Sequence, residues 1–259
     1  MSMVVILQWN ARSLLVNGQG FKFYLAGIGV KPDVVCIQET WLRPELDLVV
    51  QWYVIVRLDR TGGRGGGCAT LVRRGVSFRE LDRGVDQEYI VVEVWEGGKG
   101  VGIVNDYNPC VRLEVGKLVS IQREGWQRVV WCADCNAHSV VWGGEHTDTN
   151  GRTVEELMEE RELVCLNDGG GTRIEVRTGK EPALDVTLVT GGLAGRSRWE
   201  VLGGTTVGSD HYPVLCPVGE RMHVGAGEGT ERWVFGEADR GGFRKWCRRR
   251  WHGLIWRGV

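Results

Sequence analysis

Residues 129–136 read Val129-Val130-Trp131-Cys132-Ala133-Asp134-Cys135-Asn136. The opening apolar run has the composition of a buried β-strand. An acid and an amide follow it, two residues apart. In extended backbone that spacing sends both side chains to the same side. A strand ending in Asp-x-Asn therefore delivers a carboxylate and an amide together at one edge of a sheet. Similar grammar recurs along the chain. Gln8-Trp9-Asn10 and Gln38-Glu39-Thr40 each close an apolar run, Tyr107-Asn108-Pro109 follows Ile103-Val104-Asn105-Asp106, and Ser209-Asp210-His211 follows Gly208. Taken singly, each block is more simply read as a solvated strand end or a turn. Their joint occurrence carries the weight, because independent coincidences multiply.

Working outward, segments 4–8, 34–38, 53–58, 69–73, 89–95, 101–105, 129–132, 174–177, 186–189, 199–202 and 214–216 read as strands, rich in Val and Ile between Gly or polar turns. Their apolar character is continuous rather than alternating, which predicts sheets buried on one or both faces. Helical spacing predicts helices over 21–28, 113–123 and 153–163, the last with Thr153 and Glu156 in the positions of a capping box. Many strands with few helices between them predict an α/β (α+β) architecture of two packed sheets flanked by helices.

The chain has 259 residues, 42% of them hydrophobic, and a net charge of −1. No apolar run approaches the roughly 20 residues that span a bilayer, and the first ten residues lack the basic start of a secretory signal. The eight cysteines lie mostly in strand-like runs, which predicts reduced thiols rather than a disulfide framework. Cys132 and Cys135 have metal-pair spacing, but no second pair completes a zinc set. Charge is uneven: residues 231–259 hold eight Lys/Arg against three acids, leaving 24 against 30 elsewhere. An acidic body argues against strong non-specific binding through phosphate contacts but does not exclude a local basic groove beside an acidic site. Residues 1–220 are expected to form one domain, and 221–259 a linker with a basic, Trp-rich tail.

The five blocks supply the chemistry that phosphodiester hydrolysis needs: a divalent metal, water activation, donors for the phosphoryl oxygens and help for the leaving oxygen. Glu39 is a strand-end carboxylate suited to Mg²⁺, and Asn10 an amide that ligates the metal or orients Glu39. Asp134 is suited to the attacking water and Asn136 to a phosphoryl oxygen. Tyr107 has a phenol to donate, and His211 titrates near neutrality, with Asp185 as the acid that would orient it. The Gly62–Gly67 run has no Gly-Lys-Ser/Thr after it, so it reads as a hairpin loop rather than a phosphate cradle, with Arg60 and Arg64 placed to reach a DNA phosphate.

Jointly these residues resemble the endonuclease/exonuclease/phosphatase superfamily. More narrowly they resemble the apurinic-type endonuclease domain of non-LTR (LINE-like) retrotransposons. The resemblance spans residues 3 to 220 and is also carried by Thr40-Trp41-Leu42, Asn136-Ala137-His138, Trp142-Gly143, Asp148-Thr149-Asn150-Gly151, Leu166-Asn167-Asp168-Gly169 and Thr172-Arg173. It implies a four-layer sandwich of two mixed sheets and Mg²⁺ (or Mn²⁺)-assisted nicking of double-stranded DNA, leaving a 3′-hydroxyl that primes reverse transcription. Carried onto this chain, it implies a catalytic set of Asn10, Glu39, Tyr107, Asp134, Asn136, Asp185, Asp210 and His211, with Asn10, Glu39 and Asp210 at the metal. It implies a monomeric, nuclear or cytoplasmic domain with no membrane partner, meeting element RNA only through other parts of a longer protein. The resemblance has departures: Ala133 stands for a usual Gly, Cys135 for a bulky ring, and Pro182 for a usual Ser. Two other readings stay open at this point, a phosphoesterase for small or lipid substrates and a relic that folds or binds nucleic acid without turnover.

Overall fold

The computed structural model describes residues 3–219 except 97, 123 and 124. The tail expected at 221–259 lies outside the described residues. Among the described residues the strands are β1 (Val4–Asn10), β2 (Val34–Gln38), β3 (Tyr53–Leu58), β4 (Cys68–Arg73), β5 (Phe78–Gly84), β6 (Glu88–Glu96), β7 (Lys99–Tyr107), β8 (Val129–Asp134), β9 (Leu163–Cys165), β10 (Asp185–Thr190), β11 (Glu200–Val201) and β12 (Val214–Val218). The helices are α1 (Leu14–Gly27), α2 (Val115–Ile121), α3 (Thr149–Glu160) and the single turn α4 (Gly191–Ala194). The strands form two six-stranded mixed sheets. The first runs β11-β12-β1-β2-β4-β3 and the second β5-β6-β7-β8-β10-β9. In each sheet one parallel pair, β1 with β2 and β7 with β8, lies among antiparallel neighbours.

Three apolar clusters mark the interfaces of a four-layer sandwich. Ile6, Cys36, Ile103, Val130 and Val189 pack between the sheets. Leu7, Trp9, Val35 and Ile37, on the opposite face of the first sheet, meet Leu14, Phe21 and Leu25 of α1. Trp131, Val186 and Leu188 of the second sheet meet Leu118 of α2 and Val154 and Leu157 of α3. Both faces of the central strands are therefore buried, which explains their unbroken apolar runs. Trp9 stacks on Phe21 with ring centroids 4.7 Å apart, fixing α1 against β1.

Several expectations are corrected. Residues 174–177 are not a strand: Glu175 N–H donates to the Lys180 carbonyl in a tight turn, and Val176 is 85% exposed, with no core to join. The cap of α3 is Asp148, whose side chain accepts from Gly151 N–H; Thr153 lies inside the helix and its hydroxyl donates back to the Thr149 carbonyl. The first helix starts at Leu14 rather than 21, burying Leu14, Gly18, Phe21 and Leu25 on one stripe. Strand β5 has the sequence Phe-Arg-Glu-Leu-Asp-Arg-Gly, too charged to read as a strand, and sits at a sheet edge with a bulge between Glu80 and Asp82.

Candidate active site

The site forms where strands of the two sheets end together. The first sheet brings Asn10, the last residue of β1, and Glu39, just past β2. The second brings Tyr107 and Asp134, the last residues of β7 and β8, and Asp185, the first of β10. Because β10 runs antiparallel to β8, Asp185 stands directly opposite Asp134. His211 precedes β12 and completes the cluster. Chain reversal makes this possible: Glu39 and Asn136 adopt left-handed backbone (φ 49° and 42°), which turns each off its strand and costs of order 1 kcal/mol for a residue with a Cβ.

Direct contacts cross from sheet to sheet. Asn10 Nδ2 donates to Glu39 Oε1 (3.0 Å) and to Asp134 Oδ2 (2.6 Å). His211 Nδ1 lies 2.7 Å from Asp185 Oδ2. The ligand atoms of Asp134, Asp185 and His211 all lie within 4.8 Å of one another, and all three residues are buried. The Tyr107 phenol faces the charge of Glu39, whose Oε2 accepts from Trp41 Nε1 at 3.0 Å. Asn136 sits at the flank, its N–H on Asp134 Oδ1 (3.1 Å) and its Nδ2 on the Asn108 carbonyl (2.8 Å).

Burial raises the Asp134 carboxyl above its usual range, and the Asp185 charge adds to this against the opposing pull of His211 and the Asn10 amide. Burial, the largest single influence, lowers the His211 imidazole, but the charge and hydrogen bond of Asp185 with the charges of Asp134 and Asp210 together outweigh it and raise it to about 9. Burial, then the charges of Glu39 and Asp134, keeps the Tyr107 phenol protonated well past its ordinary value.

Asp210 is arranged differently. Burial works against its charge but loses to His211, Arg173 and Arg12, so its carboxyl is lowered. Arg173 Nε lies 3.1 Å and Arg12 Nη1 3.3 Å from Asp210 Oδ2. Both arginines are part-exposed, so a pair of guanidiniums rims the acid cluster. Arg60 and Arg64, expected to reach DNA, have separate environments. Arg60 is held by Glu88 (2.5 Å) and lies over the Tyr107 ring, whereas Arg64 is exposed over Trp41. The glycine run is laced to the strand end rather than free: the Thr40 and Trp41 N–H groups donate to the Gly67 and Gly66 carbonyls. A Cβ on Gly67 would stand 2.7 Å from the Thr40 hydroxyl.

The sequence reading missed Arg12, Arg173 and Asn108. Asn108 Nδ2 donates to the Cys135 carbonyl (2.9 Å) and so ties the two loops of the site together; its place between Tyr107 and Pro109 was the available signal. Thr172-Arg173 is among the motifs that carry the resemblance, but nothing local gives Arg173 its role, since it meets its partner 37 residues away. Ala133 and Cys135 pack in the apolar layer behind the site. Pro182 offers its carbonyl to the N–H groups of Thr172 and Arg173, and the Thr172 hydroxyl accepts from Asp185 N–H (3.0 Å). A groove of about 450 Å³ beside α1, lined also by Thr205, Val207 and Gly208, offers neither an acid nor a histidine. The reactive groups are concentrated in the cluster instead.

Two mixed sheets between helices, with an acidic cluster where their strands end, define the endonuclease/exonuclease/phosphatase fold. Within it, the model of the family described as endonuclease-reverse transcriptase matches residues 103–215. The endonuclease domain of TRAS1, a telomere-specific non-LTR retrotransposon, superposes with a TM-score of 0.68 at 19% identity, covering 83% of this chain and 98% of that one. The AP endonuclease LMAP from Leishmania major gives 0.67 at 17% identity over 85% and 89% of the two chains. The 3′-5′ exonuclease NExo from Neisseria meningitidis gives 0.62 at 18% identity over 82% and 98%. No curated protein sequence matches the chain.

Proposed function

We propose that this chain is a divalent-metal-dependent phosphodiesterase that nicks double-stranded DNA, leaving a 3′-hydroxyl and a 5′-phosphate. The observation that carries the reading is the convergence from both sheets of two hydrogen-bonded groups, Asn10–Glu39–Asp134 and Asp185–His211, with the ligand atoms of Asp134, Asp185 and His211 within 4.8 Å of one another. The donor set fits a hard cation. Carboxylate oxygens of Asp134 and Asp185 lie with a His211 nitrogen within 4.8 Å of one another, and Asp185 Oδ1 is buried without a partner among the described residues. Glu39 and Asn10 would hold Mg²⁺ or Mn²⁺, with Asp210 nearby. The metal supplies charge neutralisation at the phosphoryl oxygens.

The chain's own groups divide the remaining work. Asp134, its carboxyl raised toward neutrality, takes a proton from the attacking water. The water oxygen bonds to phosphorus as the P–O3′ bond breaks, and the O3′ leaves with a proton from solvent. Asp185 holds His211 Nδ1, which leaves Nε2 to donate to a phosphoryl oxygen. Tyr107 donates as a neutral phenol, and Asn136 Nδ2, with one hydrogen on the Asn108 carbonyl, has its second to donate to a phosphoryl oxygen. Arg12 and Arg173 offer positive charge to the flanking backbone, which an acidic body needs locally. Support comes from fold neighbours that are themselves DNA enzymes, one NExo structure having been solved with a product DNA hairpin.

The test is relaxation of supercoiled plasmid with and without Mg²⁺. Wild type should nick only with metal, and His211→Ala should reduce nicking by about 10³-fold or more. Wild type inert across metals and salt concentrations would remove the reading.

A further inference from the structure

The inward faces of the two sheets are stratified. Deepest are apolar side chains such as Ile6, Cys36, Ile103, Val130 and Val189. At the strand ends stand the site residues. Between them is a layer of buried amides and hydroxyls that the chemistry does not use: Gln8, Gln38, Thr70, Asn105 and Thr187. Three of them lie two residues inboard of a site residue on the same strand face, Gln8 below Asn10, Asn105 below Tyr107 and Thr187 below Asp185.

These groups bond across the interface. Gln38 Nε2 of the first sheet donates to Asn105 Oδ1 of the second at 2.8 Å. Asn105 Nδ2 donates back to Thr70 Oγ1 (3.1 Å) and to the Ala69 carbonyl (3.0 Å). The Thr187 hydroxyl of the second sheet donates to Gln8 Oε1 of the first (3.3 Å), and Trp199 Nε1 locks that hydroxyl at 3.1 Å. The layer is also costly, since Gln8 Nε2 and Gln38 Oε1 are buried without partners among the described residues. Apolar packing alone would hold two sheets together more favourably, but it is non-directional and tolerates sliding.

We propose that the Gln8–Thr187 and Gln38–Asn105 pairs are positioning residues, a cross-sheet register that sets the separation between the two halves of the site. The inference rests on the nuclease reading for its kinetic arm and on geometry for its structural arm. The relevant spans are the inter-sheet contacts of 2.6 Å from Asn10 to Asp134 and 2.7 Å from His211 to Asp185. A small slide of one sheet on the other changes both.

The experiment replaces each pair by apolar side chains of similar shape, which removes direction while keeping volume: Gln8→Met with Thr187→Val, and separately Gln38→Met with Asn105→Leu. Melting temperature, kcat and KM for nicking a defined duplex, and crystal structures are compared with wild type. The expected result is a folded protein with a melting temperature lowered by a few degrees, because Trp199 Nε1 or the Thr70 hydroxyl loses a partner, with KM within about twofold, kcat lower by about 10–100-fold, and lengthened Asn10–Asp134 or His211–Asp185 contacts. Folded variants with wild-type kcat and unchanged contacts overturn the inference while leaving the nuclease reading intact. If wild type itself cuts nothing, the functional reading falls and the contact distances alone decide this one. If a double variant does not fold, Thr187→Val by itself, which exchanges one hydroxyl for a methyl, decides by the same measurements.

Discussion

At the scale of the residue, one carboxylate governs the histidine. Asp185 Oδ2 is 2.7 Å from His211 Nδ1, and Asp185 N–H is itself held by Thr172. Changing Asp185→Asn preserves shape but removes the charge that orients and protonates the ring. Single-turnover nicking should slow by about 10²–10⁴-fold with DNA affinity nearly unchanged. The shift of His211 also has a stability consequence. Its pKa is raised in the folded protein, so the Asp185 interaction contributes fully below pH 6.5 and is lost as pH rises through about 9. The raised Asp134 carboxyl acts in the same direction at lower pH. Chemical denaturation of the metal-free protein should show stability falling from pH 6.5 to 9, with the slope flattened in His211→Ala. Asn10, Glu39, Asp134 and His211 are legible in the sequence because each closes a recognisable run or short block. Arg12, Arg173 and the polar layer below the site are not, because their meaning lies in partners on distant strands.

At the scale of the element, the caps and edges separate what composition reveals from what it hides. Central strands are legible because burial on both faces demands unbroken Val and Ile. Strand β5 is hidden because an edge strand exposed on most positions is free to be charged. The start of α3 is misread because Thr153 and Glu156 imitate a capping box, whereas the cap is Asp148, more than a turn earlier. Asp148 does double duty: Oδ1 accepts from Gly151 N–H (2.6 Å) and Oδ2 from His138 N–H (3.1 Å). Asp148→Ala should therefore cost about 1–2 kcal/mol in urea denaturation, at the upper end for a helix cap, because the loop after Asn136 loses its tether as well.

At the scale of the whole molecule, the site belongs to neither sheet alone, so its ligands exist as a set only when the sandwich is closed. A cation that binds this set binds the folded state. Mg²⁺ or Mn²⁺ at about 100 times its Kd should stabilise the protein by about 2.7 kcal/mol, seen as a higher melting temperature that a chelator reverses and Glu39→Ala abolishes. The sandwich itself is legible from its strand runs, whereas the pairing order is not, since no local signal tells β1 that it will lie between β2 and β12. That pairing, Val4 beside Val218, has a consequence for biosynthesis. Strand β1 cannot complete its sheet until β12, the last of the described strands, is made, and His211 arrives only just ahead of it. A growing polypeptide thus lacks the complete cluster until that strand is near, and a chain interrupted before His211 leaves Asp185 without its partner.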